Sequence, residues 1–266
     1  MRAIILAAGE GVRLRPYTLD RPKCLVELAG KPLLAHQAKA LSTAGVGEIH
    51  MVTGYRADSI EAMGHRTRHN PCYARTNMVA SLMCAADLLD GSADVVIAYA
   101  DIVYEPRLIE ALRTCDAPIC TTVDRSWLRL WRLRMDDPLS DAETLKLDAA
   151  GNILELGRKP RSRADVEGQY MGLIKVRADF APELVACHRQ LNPDGRYDGR
   201  DLANMYMTSF LQCLIDRGRP IRAVPVDGGW LEVDSASDLE LYRRMHRDGR
   251  LGSYCRLAAG EVCCQR

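Results

Sequence analysis

The residues richest in chemistry lie in one segment, L-A-A-G-E-G-V-R-L-R-P-Y-T-L-D-R-P-K, residues 6 to 23. An apolar run stops at Gly9 and Gly11, whose missing side chains let backbone N–H groups approach a polyphosphate, and Arg13 and Lys23 follow closely enough to neutralise its charge. A glycine turn flanked by surface bases is the bland alternative. The spacing fits neither familiar phosphate fingerprint, because Leu14 stands where G-x-G-x-x-G needs glycine and no G-K-[ST] follows. A second cluster is R-S-W-L-R-L-W-R-L-R, with Arg125, Arg129, Arg132 and Arg134 around Trp127 and Trp131. Guanidinium groups on one side of that run could fork-bond a carboxylate or a phosphoryl oxygen; otherwise it is an amphipathic helix with a solvated basic face. His65 and His69 have i, i+4 spacing without a third ligand or an H-E-x-x-H frame, and read as surface residues. No Ser-His-Asp arrangement emerges, and none is needed if the attacking group is already an oxyanion.

The elements that must position these residues alternate. A strand over 2 to 8 is followed by a helix over 33 to 44 with a glycine stop at Gly45, a strand at 49 to 54 and a helix at 78 to 89. A buried strand at 94 to 101 ends in Asp101, and a helix near 106 to 114 and a strand at 117 to 123 continue the rhythm. Strict alternation predicts a parallel, doubly wound sheet whose ligands bind at the carboxyl ends of the strands, where Gly9, Gly11 and Asp101 fall. Beyond Asp124 come short strands (143 to 148, 152 to 157, 169 to 176), helices at 179 to 191 and 201 to 216, a strand at 220 to 226 and a last helix near 236 to 247. The fold class is α/β with a central mixed, mostly parallel sheet in one domain over residues 1–248, and residues 249–266 form a tail expected to be loosely attached.

Composition narrows the function. With 36 basic and 35 acidic residues, no overall field would hold the chain on nucleic acid or an anionic membrane, so any anion must be gripped locally. The ten cysteines form no C-x-x-C pair and read as reduced core residues. Residues 2 to 8 are the only candidate signal core, but the apolar run is too short for a membrane span and is followed at once by Glu10, Arg13 and Arg15, and a cytoplasmic location is expected.

The string over residues 6 to 23 resembles the signature of the sugar-phosphate nucleotidyltransferase superfamily, L-A-A-G-x-G-x-R-[LM]-x-P-x-T-x-x-x-P-K, at every defined position. That resemblance implies a Rossmann-like three-layer αβα nucleotidyltransferase fold and transfer of an NMP from an NTP to a phosphorylated acceptor. It carries nucleotide contact onto Leu6, Ala8, Gly9, Glu10, Gly11 and Ala100, and phosphate handling and catalysis onto Arg13 and Lys23. It also implies Mg²⁺ held by Asp101, in Y-A-D-I, and by Asp234, in W-L-E-V-D-S, two hard carboxylates of the kind that cation takes; helix caps are the structural alternative. From E-L-G-R-K-P and Q-Y-M-G-L-I-K, Lys159 and Tyr170 become acceptor-pocket candidates, with Glu232 beside them.

No uridylyl-type Q-x-x-P-x-G segment appears after the second strand. The stretch N-P-C-Y-A-R-T-N-M-V-A-S-L is instead similar to the small cytidylyltransferases, which puts Asn77 and Ser81 beside the pyrimidine. Y-A-D-I-V-Y, D-R-S-W, D-P-L-S-D-A-E-T-L-K, Q-Y-M-G-L and N-M-Y-M-T-S-F-L-Q resemble the phosphoglutamine cytidylyltransferases of bacterial capsule decoration, related to phosphonate enzymes. The expected partners are CTP and a small phosphorylated or phosphonate acceptor, phosphoglutamine-like or a carboxylated phosphonate, with no nucleic acid, no membrane and a homodimer as the expected assembly. Arg129 and Arg132 are expected to read a second anionic group on that acceptor, and Ala203, where relatives specific for phosphocholine carry an acid, speaks against an ammonium. A sugar-1-phosphate nucleotidyltransferase and a non-catalytic nucleotide sensor are the rival readings.

Overall fold

The computed structural model describes residues 1–257. β1 (Arg2–Ala7) is buried over nearly its whole length and runs into the glycine loop; a small hairpin of β2 (Glu27–Leu28) and β3 (Lys31–Pro32) then leads into α1 (Leu33–Thr43). After β4 (Glu48–Thr53), α2 (Ala57–Glu61), β5 (Arg66–His69) and α3 (Met78–Met83), the chain enters β6 (Val95–Tyr99) and β7 (Ile102–Tyr104). α4 (Pro106–Thr114), β8 (Ile119–Asp124) and α5 (Trp127–Arg134) follow, then the hairpin β9 (Leu145–Leu147) and β10 (Ile153–Leu156). β11 (Gln169–Val176), α6 (Ala181–Arg189), α7 (Met207–Asp216), β12 (Arg222–Val226), β13 (Trp230–Glu232) and α8 (Ala236–Arg247) complete the described elements.

Seven strands form one sheet in the order β12-β8-β11-β6-β1-β4-β5. Every neighbouring pair is parallel except the two that involve β11, which lies antiparallel between β6 and β8. Alternate residues of β1 face opposite cores, as the two-residue period of a strand requires. Ile5 packs with α1, α4, α5 and α8, whereas Ile4 and Leu6 pack with α3, α6 and α7. The result is the expected three-layer αβα arrangement.

Differences from the expected elements have local causes. β5 reads R-T-R-H, has no apolar alternation, and pairs only along one edge of β4, so its sequence hides it; His69 belongs to this edge strand, not to a helix shared with His65. The helix expected over 78 to 89 ends after Met83, where Ala85 leaves helical geometry at φ −111°, and a short 3-10 turn over Ala86–Leu88 carries on. The helix expected from 201 begins at Met207, because Asp201 caps a separate 3-10 turn through the Asn204 N–H. The segment just beyond residue 248 is packed on the body: Leu251 and Cys255 are buried, and the Gly229 N–H donates to the Tyr254 carbonyl at 3.0 Å. Cys263 and Cys264 lie outside the described residues, and the eight described cysteines are free thiols, Cys72 being exposed.

Candidate active site

The loop after β1 closes on itself before it reaches any ligand. Gly11 takes left-handed geometry at φ 62°, and a Cβ there would come within 3.1 Å of the Lys23 side chain. The Thr18 hydroxyl, fully buried, donates to the Gly11 carbonyl at 2.9 Å and ties the two ends of the loop together. Lys23 is thereby aimed across the ends of the strands, where its ammonium donates to Asp101 Oδ2 at 3.0 Å and to Asp234 Oδ1 at 2.8 Å. Arg13 approaches Asp234 Oδ2 to 2.6 Å. Burial opposes the charge on Lys23, but Asp101 and Asp234 outweigh it and hold the ammonium above its ordinary pKa.

Asp234 is far from Asp101 in sequence, and the short pair β13–β7 brings them together. Glu232 is in register with Ile102, and the Val233 N–H donates to the Asp101 carbonyl at 2.8 Å. The other oxygen of Asp101, Oδ1, is buried and has no hydrogen-bond partner among the described residues. Two convergent carboxylates, one with an unused buried oxygen, suit a hard divalent cation that completes its shell with phosphate oxygens and water.

A cleft of about 280 Å³ opens above this cluster, lined by Leu6, Gly9, Gly11, Asn77 and Ala100 together with Arg13, Lys23 and both acids. Ala8 and Glu10 are not among its lining residues, and Glu10 instead pairs with Arg15 at 3.2 Å. Asn77 begins α3, with its own N–H held by the Ala203 carbonyl at 2.9 Å. Ser81 is a correction to the expected base contact: it faces the interior, 5% exposed, and accepts from Asn70 Nδ2 at 3.0 Å.

A second cavity of about 230 Å³ adjoins the first and shares Arg13, Met78, Tyr99 and Asp234 with it. Tyr170 and Glu232, two of the acceptor candidates, line it. Arg129, Arg132 and Lys159 do not, and the reason is helix phase. α5 buries Trp127, Leu130 and Trp131, which carries Arg134 inward with them. Arg134 is the arginine that reaches the site's rear wall, bonding Glu232 at 2.5 Å and Asp238 at 3.0 Å. Arg129 points the other way and stacks on Tyr254, its guanidinium carbon 4.2 Å from the ring centroid, while Arg132 is exposed. Lys159 is also exposed and donates to the Leu139 carbonyl at 2.6 Å.

Sequence inspection passed over Asp141, Glu143, Tyr99 and Trp230 in this cavity. The two acids sit in D-P-L-S-D-A-E-T-L-K, a string that looks like a solvated loop until the fold lays it across the cavity. Burial first, and then Asp141 and Asp198, push the Glu143 carboxyl up to about 7. Burial likewise raises Glu232 to about 7, against the pull of Arg134. Gly172, at φ 78°, is held beside Tyr99 so closely that a Cβ would lie 2.6 Å from ring carbons.

Residues 3–189 match the model for the MobA-like NTP transferase domain. Over 250 residues the chain is 42% identical to the CTP:phosphoglutamine cytidylyltransferase of Campylobacter jejuni, covering 91% of this chain and 98% of that protein. It is 30% identical over 256 residues to the CMP-5'-(3-aminopropyl)phosphonate synthase of Streptomyces rubellomurinus, covering 90% of this chain and 37% of that one. The structure of the CTP:phosphocholine cytidylyltransferase from Streptococcus pneumoniae superposes with a TM-score of 0.68 at 20% identity, covering 92% of this chain and 98% of the other. For the inositol-1-phosphate CTP transferase of T. maritima the TM-score is 0.71 at 18% identity, with 96% and 97% covered. These two structural likenesses concern the fold.

Proposed function

The chain belongs to the MobA-like NTP transferase family, and on that premise we propose that it transfers CMP from CTP to a small phosphorylated or phosphonate acceptor, releasing pyrophosphate. The observation that carries this is the junction of the two cavities: Arg13 and Asp234 line both, so a nucleotide in one and an acceptor in the other meet beside the same cation and the same acid. Similarity to the phosphoglutamine enzyme across nearly its whole length supports CTP as the donor and a phosphoglutamine-like acceptor.

The acceptor oxyanion attacks the α-phosphorus in line, forming the new P–O bond, and the bond from the α-phosphorus to the α,β-bridging oxygen breaks with its electron pair leaving on pyrophosphate. No general base is required, since the acceptor arrives ionised. The backbone at Gly9 and Gly11 admits the phosphates closely, Arg13 and Lys23 offset charge that builds on the transferring group, and Asn77 stands beside the base. Asp101 and Asp234 would hold Mg²⁺, which when bound supplies Lewis-acid polarisation and charge neutralisation at the phosphates. Among the described residues no helix is long and apolar enough to cross a membrane, and we place the enzyme in the cytoplasm with its nucleotide.

Pyrophosphate release measured with each of the four NTPs against phosphoglutamine, 3-aminopropylphosphonate, phosphocholine and glucose 1-phosphate tests this. Release with CTP and one of the first two acceptors is expected; release only with UTP or dTTP and glucose 1-phosphate would make it a sugar-nucleotide enzyme instead.

A further inference from the structure

Asp101 lies in a break between two strands. β6 stays in the seven-stranded sheet as far as Tyr99, whereas β7, from Ile102, pairs with β13, so Ala100 and Asp101 belong to neither ladder. Backbone carbonyls beside such a break need partners from outside the sheet. Gln37 of α1 supplies them: its Nε2 donates to the Tyr99 carbonyl at 3.1 Å and to the Ile102 carbonyl at 2.7 Å, one on each side of the break. Both neighbours are acceptors, which fixes the amide with its nitrogen toward them. Its oxygen is buried with no hydrogen-bond partner among the described residues, and Gln37 is 0% exposed in a helix that also buries Leu33, Leu34 and Leu41. A core amide that uses only its donor half costs desolvation and returns two bonds, both of them at the break. From the opposite direction the Val233 N–H donates to the Asp101 carbonyl at 2.8 Å, one residue before Asp234. The break is thus held from α1 and from the end of β13, and the second hold is continuous with the other acid.

We propose that Gln37 is a positioning residue for nucleotidyl transfer: by pinning the carbonyls of Tyr99 and Ile102 it sets the direction in which Asp101 presents its carboxylate to Lys23 and to the cation that Asp101 and Asp234 would share. The inference rests on the transfer reading and adds to it a residue that lines neither cavity. Each residue has only two soft backbone dihedrals, so with Tyr99 and Ile102 held, the two residues between them have few ways to turn. Without the Gln37 donor both carbonyls are orphaned, and the turn relaxes until they find other partners. A misplacement of about 1 Å is enough to cost about 10²-fold in rate. The same helix also reaches the other half of the Lys23–Asp101 pair. The Leu33 N–H donates to the Val26 carbonyl at 3.0 Å, and His36 Nε2 lies 2.8 Å from the Leu28 carbonyl, which anchors the segment that follows Lys23. Successive residues of α1, His36 and Gln37, therefore fix the cation-bearing segment and the acid-bearing turn relative to one another.

The test compares three variants of the intact protein. Gln37→Met is close in volume but has no donor, Gln37→Asn keeps an amide set back by one methylene, and Ala40→Gly weakens α1 without touching the break. Hydrogen exchange, measured without metal or nucleotide, reads the hold itself. Gln37→Met should speed exchange over residues 100–104 and 231–234 by about tenfold, the scale of losing two buried hydrogen bonds, and Ala40→Gly should not. Turnover, with whichever NTP the wild type uses, reads the consequence. Gln37→Met should lower kcat by about 10²-fold and raise the Mg²⁺ concentration for half-maximal rate by about tenfold, with little change in acceptor KM. Gln37→Asn should fall between it and wild type, and it is read alone against the same outcomes if Gln37→Met does not fold. Ala40→Gly should keep the wild-type kcat and Mg²⁺ dependence. Unchanged exchange at the break, or faster exchange with wild-type kcat and Mg²⁺ dependence, would overturn the positioning role. Losses in Ala40→Gly equal to those in Gln37→Met would overturn it too, since helix stability would then account for both. Wild-type turnover of another NTP and not of CTP, with these losses in Gln37→Met, overturns cytidylyl transfer and leaves Gln37 its role; CTP turnover unaffected in Gln37→Met does the reverse. A wild type that turns over no NTP overturns both.

Discussion

Lys23 donates to both Asp101 and Asp234, so its removal acts on two groups at once. Lys23→Ala should lower kcat/KM by about 10²-fold or more, the scale of losing one preorganised charge-stabilising donor, while a rise in KM alone would reassign it to ground-state binding. Asp101→Asn and Asp234→Asn keep side-chain volume and should abolish turnover; wild-type kcat at limiting Mg²⁺ in either variant would remove that acid from the metal site. Glu143 gives a pH dependence with a definite sign. Its carboxyl is pushed up to about 7 by burial and by Asp141 and Asp198, with Tyr99 and Tyr170 lining the same cavity, so below neutrality it is protonated and presents no charge to the amine of an acceptor such as 3-aminopropylphosphonate. KM for an amine acceptor should fall as pH rises through about 7, and KM for CTP should not follow it. The phosphate loop was legible from the sequence because its residues are neighbours in the chain. Glu143 and Tyr99 were not, because nothing local distinguishes an acid on a cavity wall from one in a solvated loop. Ser81 misled for the converse reason: it is one helical turn from Asn77, but that turn faces Asn70 and the core.

At the scale of elements, the catalytic mouth depends on a strap made by β7, β13, α5 and α8. Asp238 closes a capping box with Ser235 at the start of α8 and accepts from the Asp234 N–H at 3.2 Å, and Arg134, its side chain 2% exposed, bonds Asp238 and Glu232 together. Arg134→Ala leaves two buried carboxylates without their cation and should cost about 3–5 kcal/mol in urea unfolding. Its kcat should fall too, because Asp234 loses its support; an Arg134→Ala enzyme with unchanged stability and kcat would contradict the strap. Gly172→Ala should raise KM for the acceptor more than for CTP, since the added methyl collides with the Tyr99 ring that both cavities share but lies on the acceptor side. Equal effects on the two substrates would place the strain elsewhere. The strand-helix alternation of the first half was readable because each buried strand is a continuous apolar run. α5 was readable as an amphipathic helix, yet its phase was not: the two tryptophans fix which arginine turns inward, and they select Arg134 over Arg129 and Arg132.

For the molecule as a whole, one wall of the second cavity makes stability depend on pH. A carboxyl raised in the folded state contributes stability that is present below its unfolded pKa and lost as pH rises through its folded pKa, here from the ordinary glutamate range to about 7. Glu143→Gln should therefore raise Tm relative to wild type at pH 8 and change it little at pH 5; a gain at both, or at neither, would contradict the burial of an ionisable, uncompensated acid. The near-neutral overall charge agrees with a protein that grips anions locally, as the loop over residues 6 to 23 would, and not through an overall field. The chemistry itself is tested most directly by ³¹P NMR of the reaction of CTP with 3-aminopropylphosphonate in the presence of Mg²⁺. Cytidylyl transfer predicts two mutually coupled doublets from a new P–O–P linkage, together with one equivalent of pyrophosphate. Pyrophosphate without that coupled pair, or a coupled pair formed from another NTP and not from CTP, would contradict it.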